Sequence, residues 1–267
     1  MKRVEGKIAW ISGATSGIGE AAAKLFAKEG ARVAIVGRNR VRADTINRDI
    51  QSSGGESMVS ICDVSVPDQI EKSIQAVVQK WGGIDILVNN SGMVDVRMLH
   101  EYSINDWERV MNVNVRSIYL SFLHAYPFLK QKKRSYIVNV GSISSMVGQA
   151  GTPVYVTSKH AVLGLSRSIA LDYADIGLRC NCVCPGITDT PMLREHMGSG
   201  VEGDERLRKR LKRVPMGVPL SPEDVAKSIL YFSCDDSAGI TGTSLIVDCG
   251  YLTAAEWTSP DHTAFME

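Results

Sequence analysis

The sequence predicts an α/β fold, a single doubly wound parallel sheet with helices on both faces. Three observations carry this. Short runs rich in Ile, Val and Leu alternate with longer stretches of helical spacing. The short runs show little polar alternation, which is how strands covered on both faces read. A cluster of glycines joins the first such run to the first helical stretch.

In chain order, strands are expected over 7–12, 32–36, 57–62, 84–89, 135–140, 178–184 and 243–247, and helices over 18–29, 67–80, 104–130, 154–174 and 222–232. Ser221, Pro222 and Asp224 read as an N-cap with proline in the first turn. No Pro/Ser-rich linker or repeat interrupts the alternation, so 1–250 is expected to form one domain and 251–267 a tail carrying Trp257 and Phe265. Lys and Arg total 30 against 29 Asp and Glu, a net charge of +1, which argues against electrostatic binding to nucleic acid or a membrane surface. The uncharged run 135–158 is too polar for a bilayer span. The N-terminus does not read as a signal peptide, and six cysteines are too sparse for a disulfide framework, so a cytoplasmic protein is expected. Cys180, Cys182 and Cys184 alternate on one predicted strand, which puts them on one face. They lack the C-x2-4-C or His spacing of zinc sites and are expected as small buried hydrophobes, with no metal.

Gly13, Gly17 and Gly19 lie in S-G-A-T-S-G-I-G between the first strand and first helix. Such a turn lets the backbone approach a pyrophosphate whose charge sits on the helix N-terminus. The spacing is G-x3-G-x-G rather than G-x-G-x-x-G. NAD-binding folds place a carboxylate about 20 residues further on, against the ribose 2′-hydroxyl. Here the second strand ends in Gly37-Arg38-Asn39-Arg40, and Arg38 suits a 2′-phosphate instead. NADP is therefore the expected cofactor, with NAD the alternative.

Tyr155 and Lys159 are one helical turn apart, in Y-V-T-S-K. An ammonium beside a phenol favours the ionised form, so such a tyrosine can act as general acid for a carbonyl or general base for an alcohol. Ser142 follows the fifth predicted strand. Together with G-x3-G-x-G, N-N-S-G at 89–92 and P-G-I-T-D-T at 185–190, the set resembles the short-chain dehydrogenase/reductase family over about residues 5–250.

That resemblance implies a Rossmann-type sheet of seven strands ordered 3-2-1-4-5-6-7. It implies Tyr155 as general acid/base, Lys159 tuning it and holding the nicotinamide ribose, Ser142 on the substrate oxygen, and Asn114 anchoring a water of the proton relay. By the same resemblance the cofactor lies against Gly13, Thr15, Ser16, Gly17, Ile18, Gly19, Arg38, Asp63, Val64 and Asn90, and against Tyr155, Lys159, Pro185, Gly186, Thr188 and Thr190. Ser91 stands where the family usually has alanine. The implied activity is hydride transfer between NAD(P) and a secondary alcohol or ketone: a sugar, a polyol or a cyclic hydroxy compound. A silent dinucleotide-binding regulator and an enoyl-type double-bond reductase are the alternatives. Family members often form homotetramers through the helices over 104–130 and 154–174.

The segment 188–218 is expected to cover a small-molecule substrate, with 93–97 and 144–149 beside it. Asp95, Arg97 and Gln149 are its polar candidates. Six of the eight residues in 206–213 are basic. Leu207, Leu211 and Val214 would turn one face of that run inward and leave the charges in water. The sharper reading has them steering an anionic substrate.

Overall fold

The computed structural model of the chain describes residues 2–198 and 200–254. Trp257 and Phe265 of the expected tail lie outside the described residues. The first half runs β1 (Ile8–Ser12), α1 (Gly17–Lys28), β2 (Arg32–Gly37), α2 (Arg40–Ser52), β3 (Glu56–Ile61), α3 (Pro67–Trp81) and β4 (Ile86–Asn89). The second runs α4 (Ile104–Met111), α5 (Ser117–Leu129), β5 (Ser135–Val140), α6 (Pro153–Asp172), β6 (Leu178–Pro185), α7 (Pro191–Met197), α8 (Gly200–Leu211), α9 (Pro222–Tyr231) and β7 (Ser244–Val247). The strands form one parallel seven-stranded sheet in the order β3-β2-β1-β4-β5-β6-β7, as the resemblance implies.

Each strand feeds two cores because its side chains alternate. Ala9 and Ile11 of β1 join Phe26, Ile46 and Ile229 on one face. Ile8 and Trp10 join Ile74, Leu129 and Ile169 on the other. Between β1 and β4 the strand order reverses, and the connections diverge to opposite faces. That leaves a crevice at the C-terminal ends of the strands, where open α/β sheets bind ligands.

Strand bounds agree with the sequence reading to within two residues. The helices differ more. The helix expected over 104–130 is interrupted by a π-helical turn, Asn112–Arg116, and α5 carries Pro127 inside it. Helix α2 went unrecognised in the sequence. Its inward stripe is only Ala43, Ile46 and Ile50 in a polar segment, and its start is fixed by the Asn39 side chain accepting from Arg42 N at 3.0 Å. The predicted cap of α9 is present: the Ser221 hydroxyl accepts from Asp224 N, and Asp224 accepts from Ser221 N. In α8 and the turn after it, Leu207 and Val214 are buried and Leu211 is half-buried, while Arg208 and Lys209 are exposed. The amphipathic account of 206–213 describes this face. No helix among the described residues is long and apolar enough to cross a membrane.

Candidate active site

The glycine turn between β1 and α1 is shaped for close approach. Gly13 and Gly17 have φ of +65° and +55°, and a Cβ on Gly19 would overlap the Gly13 carbonyl. Ser16 is the N-cap of α1 but makes no capping hydrogen bond through its side chain. The first-turn N–H groups beside Thr15, Ser16 and Ile18 are thus left to an anion. Asn90, just past β4, locks this turn: its amide donates to Ser12 O at 3.1 Å and Gly13 O at 3.3 Å. The Ser12 hydroxyl accepts from Asn90 N and Ser91 N, each at 3.0 Å. A bare backbone cradle at a helix N-terminus fits a dinucleotide pyrophosphate.

At the C-terminal end of β2, Arg38 has its side chain 78% exposed and its guanidinium 3.6 Å from Asp63. Burial alone would raise the Asp63 carboxyl, but hydrogen bonds from the Ser65 N–H and hydroxyl, together with the Arg38 charge, hold it below the usual range. Val64 beside it is buried. At the other end of the crevice Pro185 closes β6 and Gly186 packs on Asp248. The Thr188 hydroxyl donates to Gly186 O at 3.1 Å, and Thr190 caps α7 by accepting from Leu193 N.

Lys159 is almost fully buried on α6. Its ammonium donates to Val140 O at 2.8 Å and lies 5.6 Å from the centre of the Tyr155 ring. One of its three donors is committed, leaving two for other partners. Ser142 begins a short turn after β5, and its hydroxyl oxygen accepts from Ser144 N at 3.1 Å. Its own proton remains free to donate. Asn114 sits in the π-helical turn, where its Oδ1 accepts from Met93 N (2.8 Å) and its amide donates to Met93 O and to Ser158 Oγ (2.9 Å each). The side chain thus braces the loop after β4.

Beneath these groups runs a polar ladder that sequence reasoning missed. Ser121 donates to Asn89, Asn89 to Asn139, and Asn139 to Ser166, at 2.7–2.9 Å, tying α5, β4, β5 and α6 together. Asn89 and Asn139 are asparagines in otherwise apolar strands, and that was the available signal. Cys180, Cys182 and Cys184 are all buried on the same side of β6. The thiols of Cys182 and Cys184 are 3.7 Å apart. The hydrogen bond between them pushes Cys182 up and Cys184 down; burial opposes the lowering of Cys184, and the Ser142 N–H adds to it.

A Cβ at Gly141, directly before Ser142, would stand 2.8 Å from Cys182 Sγ and Ser145 Oγ, and 3.1 Å from Cys184 Sγ. Gly141→Ala is therefore expected to cost about 1–3 kcal/mol of stability. Thermal melts should show Tm falling by roughly 2–4 °C per kcal/mol. Adding Cys182→Ala should restore part of the loss, because it vacates the space the new methyl needs.

Asp95 and Arg97, expected as polar candidates beside the substrate, do not stand free. Arg97 pairs with both oxygens of Asp95 and with Asp106. Gln149 accepts from the Ser144 hydroxyl at 3.0 Å.

A family model described as "Enoyl-(Acyl carrier protein) reductase" matches residues 13–252. The chain is 37% identical over 252 residues to "Dehydrogenase/reductase SDR family member 6" of Xenopus laevis, covering 94% of this chain and 99% of that one. It is 35% identical over 269 residues to a "3beta-hydroxysteroid dehydrogenase" of Mediterraneibacter gnavus, covering 95% and 97%. Among solved structures, the ligand-free aldohexose dehydrogenase of Thermoplasma acidophilum superposes with a TM-score of 0.85 at 32% identity, covering 96% of this chain and 98% of that one. With the strand order, the glycine cradle and the Tyr155–Lys159 pair already in place, these likenesses identify the chain as a member of the short-chain dehydrogenase/reductase family of oxidoreductases.

Proposed function

We propose that the protein is an NADP-preferring oxidoreductase that interconverts a secondary alcohol and a ketone, with Asn114, Ser142, Tyr155 and Lys159 as its working groups. The observation that carries this is the buried Lys159 ammonium, anchored on Val140 O and set beside the Tyr155 ring. The nicotinamide dinucleotide, when bound, supplies the hydride chemistry.

The chain's part is to hold the reacting oxygen and move one proton. The Ser142 hydroxyl, whose oxygen already accepts from Ser144 N, donates its proton to the substrate oxygen. Tyr155 Oη gives a proton to that oxygen in reduction and takes it in oxidation. The free donors of Lys159, beside the Tyr155 ring, hold the ribose. Asn114 keeps Met93, and with it the loop above the site, in place. The glycine cradle and Asn90 orient the pyrophosphate, Asp63 and Val64 the adenine, and Gly186, Thr188 and Thr190 the carboxamide end.

The same reading carries a cytoplasmic homo-oligomer, a tetramer by family analogy. Exposed apolar side chains on α4, α5 and α6 support it: Ile104, Trp107, Tyr119, Leu123 and Leu171. The test of the reaction is NADPH oxidation by ketones and NADP reduction by the matching alcohols. An arm of 2-enoyl thioesters tests the double-bond alternative that the family model's description names. Consumption of the enoyl substrates with no ketone turned over would replace this reading, and cofactor binding with no turnover of either would favour the silent regulator.

A further inference from the structure

Resting on that reading of the site, we infer that the substrate is an uncharged, predominantly apolar ketone or alcohol, with the reacting oxygen as its main polar group. Sugars, polyols and anions are disfavoured.

Three loops leave the C-terminal ends of β4, β5 and β6 and meet around the site. The first is clamped by Asn114 through both main-chain polar groups of Met93, and a Cβ on Gly92 would lie 3.6 Å from Lys159 Nζ. It joins the second through Arg97 N donating to Gly151 O at 2.9 Å. The third packs Thr190 against the cofactor turn at Gly17.

Over 90–98, 141–152 and 186–192 the only charged residues are Asp95, Arg97 and Asp189. All three are engaged. Asp95 and Arg97 close a ring with Asp106 and Arg109 of α4, two acids against two bases, with N–O distances of 2.9–3.3 Å. Asp189 is held by both Nε and Nη2 of Arg194, at 2.6 and 2.7 Å, and that guanidinium also reaches Asp204. A substrate charge would have to break one of these pairs or enter the site uncompensated.

The large side chains these segments leave exposed are mostly apolar. Val96 is 59% exposed, Val147 41% and, in the first turn of α7, Met192 39%, and Met93 is half-buried. Large apolar side chains left in water by three converging loops gain by covering an apolar ligand. A sugar would lose water from several hydroxyls there, and the Ser144 hydroxyl and the Gln149 carbonyl are already bonded to each other. The basic run does not change this, since its inward face is Leu207 and Leu211.

The test uses the full chain with NADPH and NADP on a panel matched for size: cyclohexanone, a decalone and a 3-oxosteroid against an aldohexose, a polyol and a short 3-oxo carboxylate. The expected result is kcat/KM at least about tenfold higher for the best apolar ketone than for any polar or anionic compound, with a KM indifferent to ionic strength. Val96→Asn and Val147→Asn should each raise that KM about five- to tenfold while kcat and NADP affinity stay put, as expected for lost apolar burial. A sugar, polyol or carboxylate that matches or exceeds the apolar ketones overturns the inference, as does a KM unmoved by both substitutions. Tyr155→Phe on the same panel separates the two levels. Turnover that survives it refutes the reaction assigned to the site, whereas Tyr155-dependent turnover of a sugar refutes only the substrate class. If nothing turns over, calorimetry on the NADP complex decides: binding of decalol in preference to glucose supports the inference, and any other result overturns it.

Discussion

Tyr155→Phe is expected to lower turnover at least about a hundredfold while leaving NADP affinity nearly unchanged. A hundredfold is about 2.7 kcal/mol of transition-state stabilisation, within the range ascribed to one positioned proton donor. The substitution removes only the hydroxyl. The ring remains beside the Lys159 ammonium, and that ammonium keeps its bond to Val140 O. The dinucleotide would still rest on the glycine cradle, on the loop locked by Asn90, and on the β6 loop. Loss of activity without loss of binding therefore isolates the phenol. The measurements are single-turnover rates with the best ketone and NADP binding by fluorescence titration. Wild-type turnover in a folded Tyr155→Phe protein would take the tyrosine out of the mechanism. Ser142→Ala belongs beside it, because it removes the hydroxyl assigned to the substrate oxygen, and it should share the same separation of rate from binding.

The sheet was legible in the sequence because its buried strands are mostly apolar runs, and the connections between them announce themselves by glycine, proline or a capping residue. The Gly13–Gly19 turn, the Tyr155–Lys159 pair and Ser142 were legible for a related reason: each depends on a few neighbouring residues at fixed spacing. What escaped depends on distant partners. Asn114 reads as one polar residue on a helix, and nothing local says that its amide grips Met93 and Ser158. The π-helical turn that carries it leaves no compositional trace in M-N-V-N-V. Asp95 and Arg97 read as free polar groups although they pair with each other, because the ring that holds both also needs Asp106 and Arg109, brought up by α4. Helix α2 was hidden by its composition, since a helix lying at the edge of the fold buries only a narrow stripe.

Arg38→Asp is expected to shift cofactor preference from NADP toward NAD by one to two orders of magnitude. No carboxylate ends β2 and the Asn39 side chain there caps α2, so on the proposed reading Arg38 is the group that meets the ribose. Its guanidinium is largely exposed and 3.6 Å from Asp63, longer than a charge-assisted hydrogen bond, so it can turn to a phosphate without breaking a tight pair. A charge pair at about 4 Å near a protein surface is worth up to roughly 4 kcal/mol, and even a third of that is tenfold. Reversing the charge removes the attraction for a 2′-phosphate, adds repulsion, and supplies an acceptor for a 2′-hydroxyl. The new carboxylate would also face Asp63, whose lowered state depends partly on Arg38, so some of the gain for NAD will be offset by like-charge repulsion. Arg38→Ala separates these contributions: it should lose about tenfold for NADP with little gain for NAD. Matched kcat/KM values for the two cofactors at fixed ionic strength provide the check, and the NADP preference of the wild type should weaken as salt is raised. A wild-type enzyme that already prefers NAD, or an Arg38→Ala variant with unchanged NADP kinetics, would mean that the guanidinium points to solvent or stacks on adenine and that the choice of cofactor is made elsewhere.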